Sequence, residues 1–386
     1  MIPHALYIHI PFCKTICTYC AFNTYADRDH LIDHYVLALA RELQIIADSR
    51  PGLPIKTVFF GGGTPSLLSA KHYETLLQTI QTNFILLQPA EVSLEANPND
   101  VSKDYLEALR AVGINRISLG MQSAHERELR LFDRRHTMET TVQAVEALRA
   151  VGFENYSLDL IFGIPGQSLD DWLDTLNAAI ALRPKHFSLY GLELKGGTKL
   201  KDQVAHGEVR MLGEELYADM YEAADTLMKQ ALFEQYEISN WAQKGYEAQH
   251  NLQYWRNLPY LGVGAGAHGY VEDMRTIVVR SPEKYIERLN GAPRRWNFPR
   301  TPATSKATPV SREEAISETI MMGLRLVREG IDRATFYERF GLDLVELKHS
   351  ALNRLAQLGM ITLDKDAVRL TPRGRFVSNA ILAELI

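Results

Sequence analysis

The stretch YIHIPFCKTICTYCAFNTY, residues 7–25, holds Cys13, Cys17 and Cys20, which are all the cysteines among the 386 residues. An odd number of thiols gathered into eight positions makes a poor disulfide framework. Thiolates are soft ligands that suit iron–sulfur clusters and zinc. The spacing C-x3-C-x2-C therefore predicts a metal centre, and something other than a fourth cysteine must complete it.

Two kinds of metal centre fit three cysteines. A structural zinc ion usually takes four protein ligands, and His9 would complete a Cys3His site. A cubane cluster held by three thiolates would instead leave one iron without a protein ligand, open to another molecule. The residues alone leave both alternatives open.

Composition and the first residues bear on the class of protein. The net charge of −5 argues against bulk binding of nucleic acid. The opening MIPHALYIHI has no basic region, and its short apolar run is broken by His4 and His9, so we expect neither a signal peptide nor a membrane-spanning helix. The sequence predicts a cytoplasmic protein, in which thiols stay reduced.

Runs rich in β-branched and aromatic residues alternate with helical patterns as far as residue 232. The strand runs are HALYIHI, KTVFFGG, EVSLEAN, NRISLG, YSLDLIFG and HFSLYGL, and the helical patterns cover 30–48, 67–84, 102–112, 139–151, 168–181 and 208–231. This alternation predicts an α/β fold with a parallel sheet. Six units predict an open, partial (β/α)6 barrel over residues 1–232.

An internal repeat supports the barrel over a doubly wound sheet without proving it. EALRAVG occurs at 107–113 and again, 39 residues later, at 146–152. Each copy ends in a glycine suited to a helix C-cap and leads into a strand with Ser-Leu at the same offset. A repeated αβ unit of this length is typical of the modules of a β/α barrel.

The pattern changes after residue 232. Residues 233–296, including 249–255 and the glycine-rich 260–270, predict strands and turns that extend the barrel, and the Pro-, Thr- and Ser-rich residues 297–311 predict a linker. Residues 312–386 predict helices, a β-hairpin and a last helix, a small α+β domain like a winged helix. Basic and acidic residues balance there, 11 against 11 over 311–386, which favours packing or protein contact over DNA binding.

The cysteine loop, just after the first predicted strand, resembles that of the radical S-adenosylmethionine (SAM) superfamily. The resemblance implies a [4Fe–4S] cluster on Cys13, Cys17 and Cys20 whose free iron is chelated by the amino and carboxylate groups of SAM. It also implies reductive cleavage of SAM to a 5′-deoxyadenosyl radical.

Further motifs match the SAM-binding positions of this superfamily. The glycines of GGGTP (61–65) allow close approach of a ligand to the backbone, although a tight turn would also need them. Polar groups near the carboxyl ends of barrel strands usually face the active site, and an arginine fork suits a carboxylate. The SAM-binding residues implied by the resemblance are Tyr7, Tyr19, Gly62, Gly63, Thr64, Glu95, Gln122, Arg134 and Asp159. Tyr7 and Tyr19 would serve equally well in core packing.

The resemblance extends along nearly the whole chain to the branch shared by oxygen-independent coproporphyrinogen III dehydrogenases and the HemW haem chaperones. It rests on YIHIPFC, FFGGGTPS, DLIFGIPGQ, YLGVGAGAH and the C-terminal residues. The dehydrogenases carry a fourth cysteine where this chain has Phe22, and a long extension before the cluster loop for which Cys13 leaves no room. Ala21 departs from the aspartate common in the chaperones.

HNLQYW (250–255) matches the HNxxYW motif of the chaperones. The resemblance implies that His250 offers an imidazole to haem iron and that Tyr254 or Trp255 stacks on the porphyrin. A hydrogen-bonded histidine beside core aromatics is the structural alternative, and His268 is a rival ligand. The sequence has no CxxCH motif for thioether attachment of haem.

The sequence as a whole predicts a haem chaperone of the HemW type that binds haem, a [4Fe–4S] cluster and SAM and passes haem to an acceptor haemoprotein. Membrane-associated acceptors and a homodimer are both compatible with it. The alternative is a radical enzyme of porphyrin biosynthesis that decarboxylates coproporphyrinogen III, and a zinc-stapled winged-helix regulator is a third. Whether the chain is an enzyme is left open, but we expect it not to be a coproporphyrinogen dehydrogenase.

Overall fold

The computed structural model describes residues 2–386. Its strands are β1 (His4–Ile10), β2 (Phe12–Cys13), β3 (Tyr25–Ala26), β4 (Pro54–Gly62), β5 (Ile85–Ala96), β6 (Arg116–Gln122), β7 (Tyr156–Phe162), β8 (His186–Gly191), β9 (Glu234–Glu237), β10 (Asn240–Ala242), β11 (Tyr260–Val263), β12 (His268–Val271), β13 (Met274–Val278), β14 (Thr304–Pro309), β15 (Ile331–Asp332), β16 (Ile361–Leu363) and β17 (Ala367–Leu370). Its helices are α1 (Ile32–Ser49), α2 (Ala70–Asn83), α3 (Lys103–Ala111), α4 (Glu126–Leu131), α5 (Met138–Val151), α6 (Leu169–Ala181), α7 (Lys199–Ala205), α8 (Glu214–Gln230), α9 (Gln249–Trp255), α10 (Pro282–Leu289), α11 (Arg312–Gly323), α12 (Arg333–Phe340), α13 (Leu344–Leu347), α14 (His349–Gln357), α15 (Pro372–Phe376) and α16 (Ser378–Leu385).

One twelve-stranded sheet dominates, in the order β14-β13-β12-β11-β1-β4-β5-β6-β7-β8-β10-β9. The six predicted strands β1, β4, β5, β6, β7 and β8 are parallel neighbours, which confirms the partial β/α architecture. β11 pairs with β1 in the same direction, so the glycine-rich segment supplies a seventh parallel strand. The sheet does not close, and β14 and β9 form its edges.

Helix starts follow the side chains that the sequence places there. Ser69, Thr137, Ser168 and Ser311 each form a reciprocal capping box at the start of a helix, which satisfies amide groups that the helix itself cannot. Gly152, at the end of the second repeat copy, has φ 78° and caps α5 in the left-handed conformation that glycine adopts without strain.

The repeat puts equivalent residues side by side. Ser118 pairs with Ser157, and Leu119 with Leu158, across β6 and β7. Both leucines are buried in the core. Both serine hydroxyls donate to the carboxylate of Asp159, at 2.8 Å from Ser118 and 3.1 Å from Ser157. The repeated Ser-Leu pair therefore builds one polar and one apolar layer of the sheet.

Residues 233–303 share the core of the barrel. One cluster of buried side chains runs from Leu6 on β1 through Val263 and Tyr285 to Ala303. The carboxylate of Glu42 on α1 reinforces this packing, since it accepts hydrogen bonds from Tyr285, Thr301 and the Gly264 amide. The boundary predicted at residue 232 therefore does not separate two cores.

Two local predictions are wrong. Residues 249–255, expected as strand or turn, form α9, because the Glu91 carboxylate accepts from its first two amides, those of Gln249 and His250, at 3.0 Å each. The predicted linker 297–311 contains β14, which pairs with β13. Its polar composition suits an edge strand with both faces largely exposed.

The C-terminal residues have a core of their own and touch both edges of the large sheet. The predicted hairpin is present as β16–β17, packed by helices, and the short β15, which was not predicted, adds a third strand. Near one edge, Arg275 donates to Glu318. At the other, the Arg375 guanidinium donates to Gln235 at 2.6 Å. The C-terminal domain therefore contacts the large sheet near both of its edges, where the sheet fails to close into a barrel. Among residues 2–386, no helix combines the length and apolar character needed to cross a membrane.

Candidate functional site

The cysteine loop lies at the carboxyl end of β1. Cys13 is buried in the short strand β2, while Cys17 and Cys20 are half-buried in the turn that follows. Thr18, between them, donates its hydroxyl to the Leu131 carbonyl at 2.8 Å. This contact fixes the loop against the segment after β6, where other predicted site residues lie.

The glycines of GGGTP let β4 end directly against the cysteine loop. The Gly63 amide donates to the Ile10 carbonyl and the Thr64 amide to the Phe12 carbonyl, both at 2.8 Å. A Cβ on Gly63 would lie 2.7 Å from the Phe12 oxygen, and one on Gly62 would lie 2.4 Å from the His9 ring. Close backbone packing alone therefore already requires glycine here.

Hydrogen-bond donors face two of the three sulfurs. The Thr64 hydroxyl lies 3.3 Å from Cys13 Sγ, and Arg134 Nη1 lies 3.6 Å from Cys17 Sγ. Burial raises the pKa of Cys20, and it raises that of Cys13 to about 11, where the Thr64 hydroxyl and the Arg134 charge act in the opposite direction. Both groups would stabilise negatively charged sulfur, as the outer contacts of thiolate-bound clusters do.

The geometry does not favour a single zinc ion. In residues 2–386, no three His, Cys, Asp or Glu side chains are arranged closely enough to hold one metal ion. His9, the alternative fourth ligand, has both ring nitrogens engaged, Nδ1 with the Tyr7 hydroxyl and Nε2 with the Asn23 carbonyl, at 2.9 Å each.

Arg134 presents an unused donor beside the cysteines. Its Nη2 donates to the Gly120 carbonyl at 2.9 Å, whereas its Nε is buried without a partner in residues 2–386. A buried guanidinium nitrogen without an acceptor is costly, so this position fits an anionic ligand such as a carboxylate. Tyr19 packs nearby, edge-on against Phe132 at 4.5 Å.

Three predicted polar residues lie on consecutive parallel strands. Glu95 Oε2 accepts from the Gly62 amide at 2.9 Å, and burial raises the pKa of Glu95 to about 7. Asp159 sits deeper, in mid-strand, with a pKa raised by burial and partly restored by the Ser118, Ser188 and Ser157 hydroxyls. Gln122 ends β6 in the left-handed region, at φ 65°.

Sequence reasoning missed residues that hold this site in place. His136 Nε2 bonds the Met121 carbonyl at 2.9 Å and so restrains the strained backbone at Gln122. Asn23 donates to the carbonyls of Ala265 and Arg280 and ties the cysteine loop to the glycine-rich segment. No motif marks either side chain, because their partners are distant in sequence.

His250 is a buried structural residue in this conformation. Its Nδ1 bonds the Thr57 hydroxyl and its Nε2 the Tyr254 hydroxyl, both at 2.8 Å, and its ring stacks on Phe59 at 5.0 Å. Burial lowers the pKa of His250 to about 3. Both ring nitrogens are therefore occupied in this conformation, and haem ligation by His250 stays a prediction. Trp255 is half-buried, with Arg325 5.7 Å above its ring.

The surface near α9 is a polar cleft of about 370 Å³ at the amino ends of β4 and β5. Its walls carry Lys56, Glu91, Asn115, Asn155, Glu247 and Gln249. It lies at the opposite ends of the parallel strands from the cysteine loop.

Comparisons with known proteins agree on the family. Residues 7–179 match the family model of the radical SAM superfamily, and residues 310–377 match that of the HemN C-terminal domain. The haem chaperone HemW of Bacillus subtilis is 37% identical over 387 residues, with 98% of each chain covered. The haem chaperone HemW of Mycobacterium tuberculosis is 36% identical, covering 100% of this chain and 95% of that one.

The fold is also that of a solved structure. The coproporphyrinogen III oxidase HemN of Escherichia coli, described as a radical SAM enzyme, superposes with a TM-score of 0.83, covering 99% of this chain and 90% of that chain. The two are 22% identical, so the likeness concerns the fold.

Proposed function

The chain belongs to the HemW haem chaperones of the radical SAM superfamily, and we propose that it binds haem, a [4Fe–4S] cluster and SAM and delivers the haem to an acceptor haemoprotein. The observation that carries this proposal is the similarity to HemW chaperones along the full chain, 37% over 98% of both sequences. We further propose a cytoplasmic location, and a homodimer is the simplest assembly to test.

The cluster would be held by Cys13, Cys17 and Cys20. Such a cluster, with one iron left to SAM, supplies an electron to SAM when bound. The role of the chain is to hold the sulfurs and balance their charge. Thr64 donates to Cys13 Sγ, and Arg134 places a positive charge beside Cys17.

SAM would lie between the glycine loop and the neighbouring strand ends. The unpartnered Nε of Arg134 supports a carboxylate ligand at this place. Glu95, with a pKa of about 7 and a partner in the Gly62 amide, is positioned to accept from an ammonium or hydroxyl group. The proposed SAM-binding residues remain Tyr7, Tyr19, Gly62, Gly63, Thr64, Glu95, Gln122, Arg134 and Asp159.

The match of HNLQYW to the chaperone motif places His250, Tyr254 and Trp255 among the proposed haem contacts. Ligation by His250 would require the Tyr254 hydroxyl to leave Nε2 and the α9 segment to open. The prediction stays testable: His250→Ala should remove an axial imidazole if the motif binds haem.

Haem transfer is the direct test of the proposed function. The reconstituted full-length protein, loaded with haem anaerobically, is mixed with an apo-haemoprotein, and the acceptor's Soret band and activity are followed with and without SAM. Transfer faster than from free haem supports the proposal. A protein that binds no haem, or holds it without release, would refute it.

The oxidase alternative is tested separately. Phe22 stands where coproporphyrinogen dehydrogenases resembling this chain carry a fourth cysteine, so we expect no conversion of coproporphyrinogen III with SAM and a strong reductant. HemN of Escherichia coli, run in parallel, verifies the assay. Sustained turnover by the chain would establish the alternative.

A further inference from the structure

A haem ligand must be accessible, and the two histidines considered at the sequence level differ in this respect. His250 is 1% exposed, with both ring nitrogens hydrogen-bonded. His268 is exposed at the start of β12, and no group in residues 2–386 hydrogen-bonds its imidazole. Burial and the charges of Arg275 and Arg280 lower the pKa of His268, which favours the neutral ring that ligates iron.

His268 lies at the same end of the sheet as the cysteine loop. β11 runs parallel to β1, with Gly262 beside Tyr7, and β12 returns antiparallel to β11, with His268 opposite Gly262, so His268 directly follows the turn that lies by the carboxyl end of β1. The β11 and β12 backbones pack closely at this point, because a Cβ on Gly262 would lie 1.9 Å from the His268 carbonyl oxygen.

Asn23 holds two further exposed side chains, those of Phe22 and Arg280, near the glycine-rich segment that contains His268. Its amide donates to the Arg280 carbonyl at 2.9 Å and to the Ala265 carbonyl at 3.0 Å, while Arg280 Nε donates back at 3.1 Å. Phe22, the preceding residue, is 70% exposed, which is unusual for so large an apolar side chain. Arg280 is exposed, and only its Nε is engaged, so its two terminal nitrogens are available.

We propose that His268, Phe22 and Arg280 form the surface that holds haem, with His268 as axial ligand, Phe22 against the porphyrin face and Arg280 beside a propionate. The inference rests on the proposed function. An imidazole, an aromatic ring and a guanidinium match the iron, the flat apolar macrocycle and the carboxylates of haem.

The surface also suits release. An exposed ligand covers one side of the iron and leaves the other axial position to an acceptor. The cleft beside α9 suits haem less well, because its walls within residues 2–386 include Lys56, Glu91 and Asn155 and hold no aromatic side chain for the macrocycle. The patch adjoins the proposed cluster, so haem and cluster would share one end of the sheet.

The test is a haem titration of the reconstituted full-length protein under anaerobic conditions, by Soret absorption and magnetic circular dichroism. His268→Ala should lose the imidazole signature and weaken binding on the order of tenfold or more. His268→Met should change the axial ligand and raise the haem reduction potential. Phe22→Ala should weaken binding roughly tenfold, as lost aromatic stacking on flat rings does.

His34→Ala, an exposed histidine on α1, is the matched control and should bind as wild type does. Iron and sulfide content and the melting temperature verify folding of each variant. Unchanged spectra and affinity in both His268 variants, with wild-type haem binding intact, would overturn the inference alone. Loss of the imidazole signature in a folded His250→Ala protein would assign the ligand to HNLQYW instead. Absence of haem binding by the wild type would refute the proposed function itself.

Discussion

Replacing Gly63 with alanine should damage the cysteine loop from a position that supplies no sulfur to the cluster. The added Cβ would lie 2.7, 2.8 and 2.9 Å from the Phe12 oxygen, the Ile10 oxygen and the Pro11 carbonyl carbon, all of them backbone atoms. No side chain can rotate away, so the two segments must separate by roughly half an ångström to restore ordinary contact.

That separation would stretch the bonds Gly63 N–Ile10 O and Thr64 N–Phe12 O, now both 2.8 Å, to the limit of hydrogen bonding. Two weakened bonds at about 1 kcal/mol each and overpacking of about 1–3 kcal/mol give a loss of about 3–5 kcal/mol. The loss is concentrated where Cys13 is held.

Anaerobic reconstitution followed by iron and sulfide analysis, with thermal unfolding of the apo-protein, measures the effect. We expect Gly63→Ala to retain a minor fraction of the cluster and to melt several degrees lower. Gly196→Ala is the control, since no heavy atom lies within 4 Å of its added Cβ. A Gly63→Ala protein with full cluster content and wild-type melting temperature would refute the reasoning.

Three other changes test separate parts of the structure. His250→Ala leaves Tyr254 without its hydrogen bond and opens a cavity, so the apo-protein should lose about 3–4 kcal/mol; an unchanged melting temperature would contradict a structural role. Burial raises the pKa of Glu237 to about 7, above its unfolded value, so its contribution is fully present below pH ~4.5 and is lost as pH rises toward 7. Glu237→Gln should therefore be more stable than wild type by about 3 kcal/mol at pH 8 and equally stable near pH ~4.5. If the melting temperatures of the two proteins differ by the same amount at every pH in this range, the assignment is disproved. Arg275→Ala removes the paired hydrogen bonds to Glu318, about 1–2 kcal/mol, and should speed limited proteolysis at the start of the C-terminal domain; an unchanged cleavage rate would show that other contacts suffice.

Local patterns were enough to predict the parallel part of the sheet. Apolar runs bounded by glycine and capping serines and threonines are signals within about ten residues of one another, and the EALRAVG repeat shows the same unit twice, 39 residues apart. Each element also agrees with the tertiary structure, so propensity and packing point the same way. The predicted strands and most predicted helices of residues 1–232 are present for this reason.

The sequence by itself determined that a metal centre is the chemistry to expect, because three cysteines within eight positions remain close in any fold and glycines mark close backbone approach. Tertiary contacts decided where α9 forms, which strand β14 pairs with and which histidine has free ring nitrogens. Glu91 caps α9 from 158 residues away, and Thr57 engages His250 from 193 residues away. No local pattern encodes such pairs. A histidine beside aromatics looks the same in sequence whether its nitrogens face solvent or a hydroxyl on a distant strand, and only the packing of α9 against β4 brings the Thr57 hydroxyl to 2.8 Å from His250.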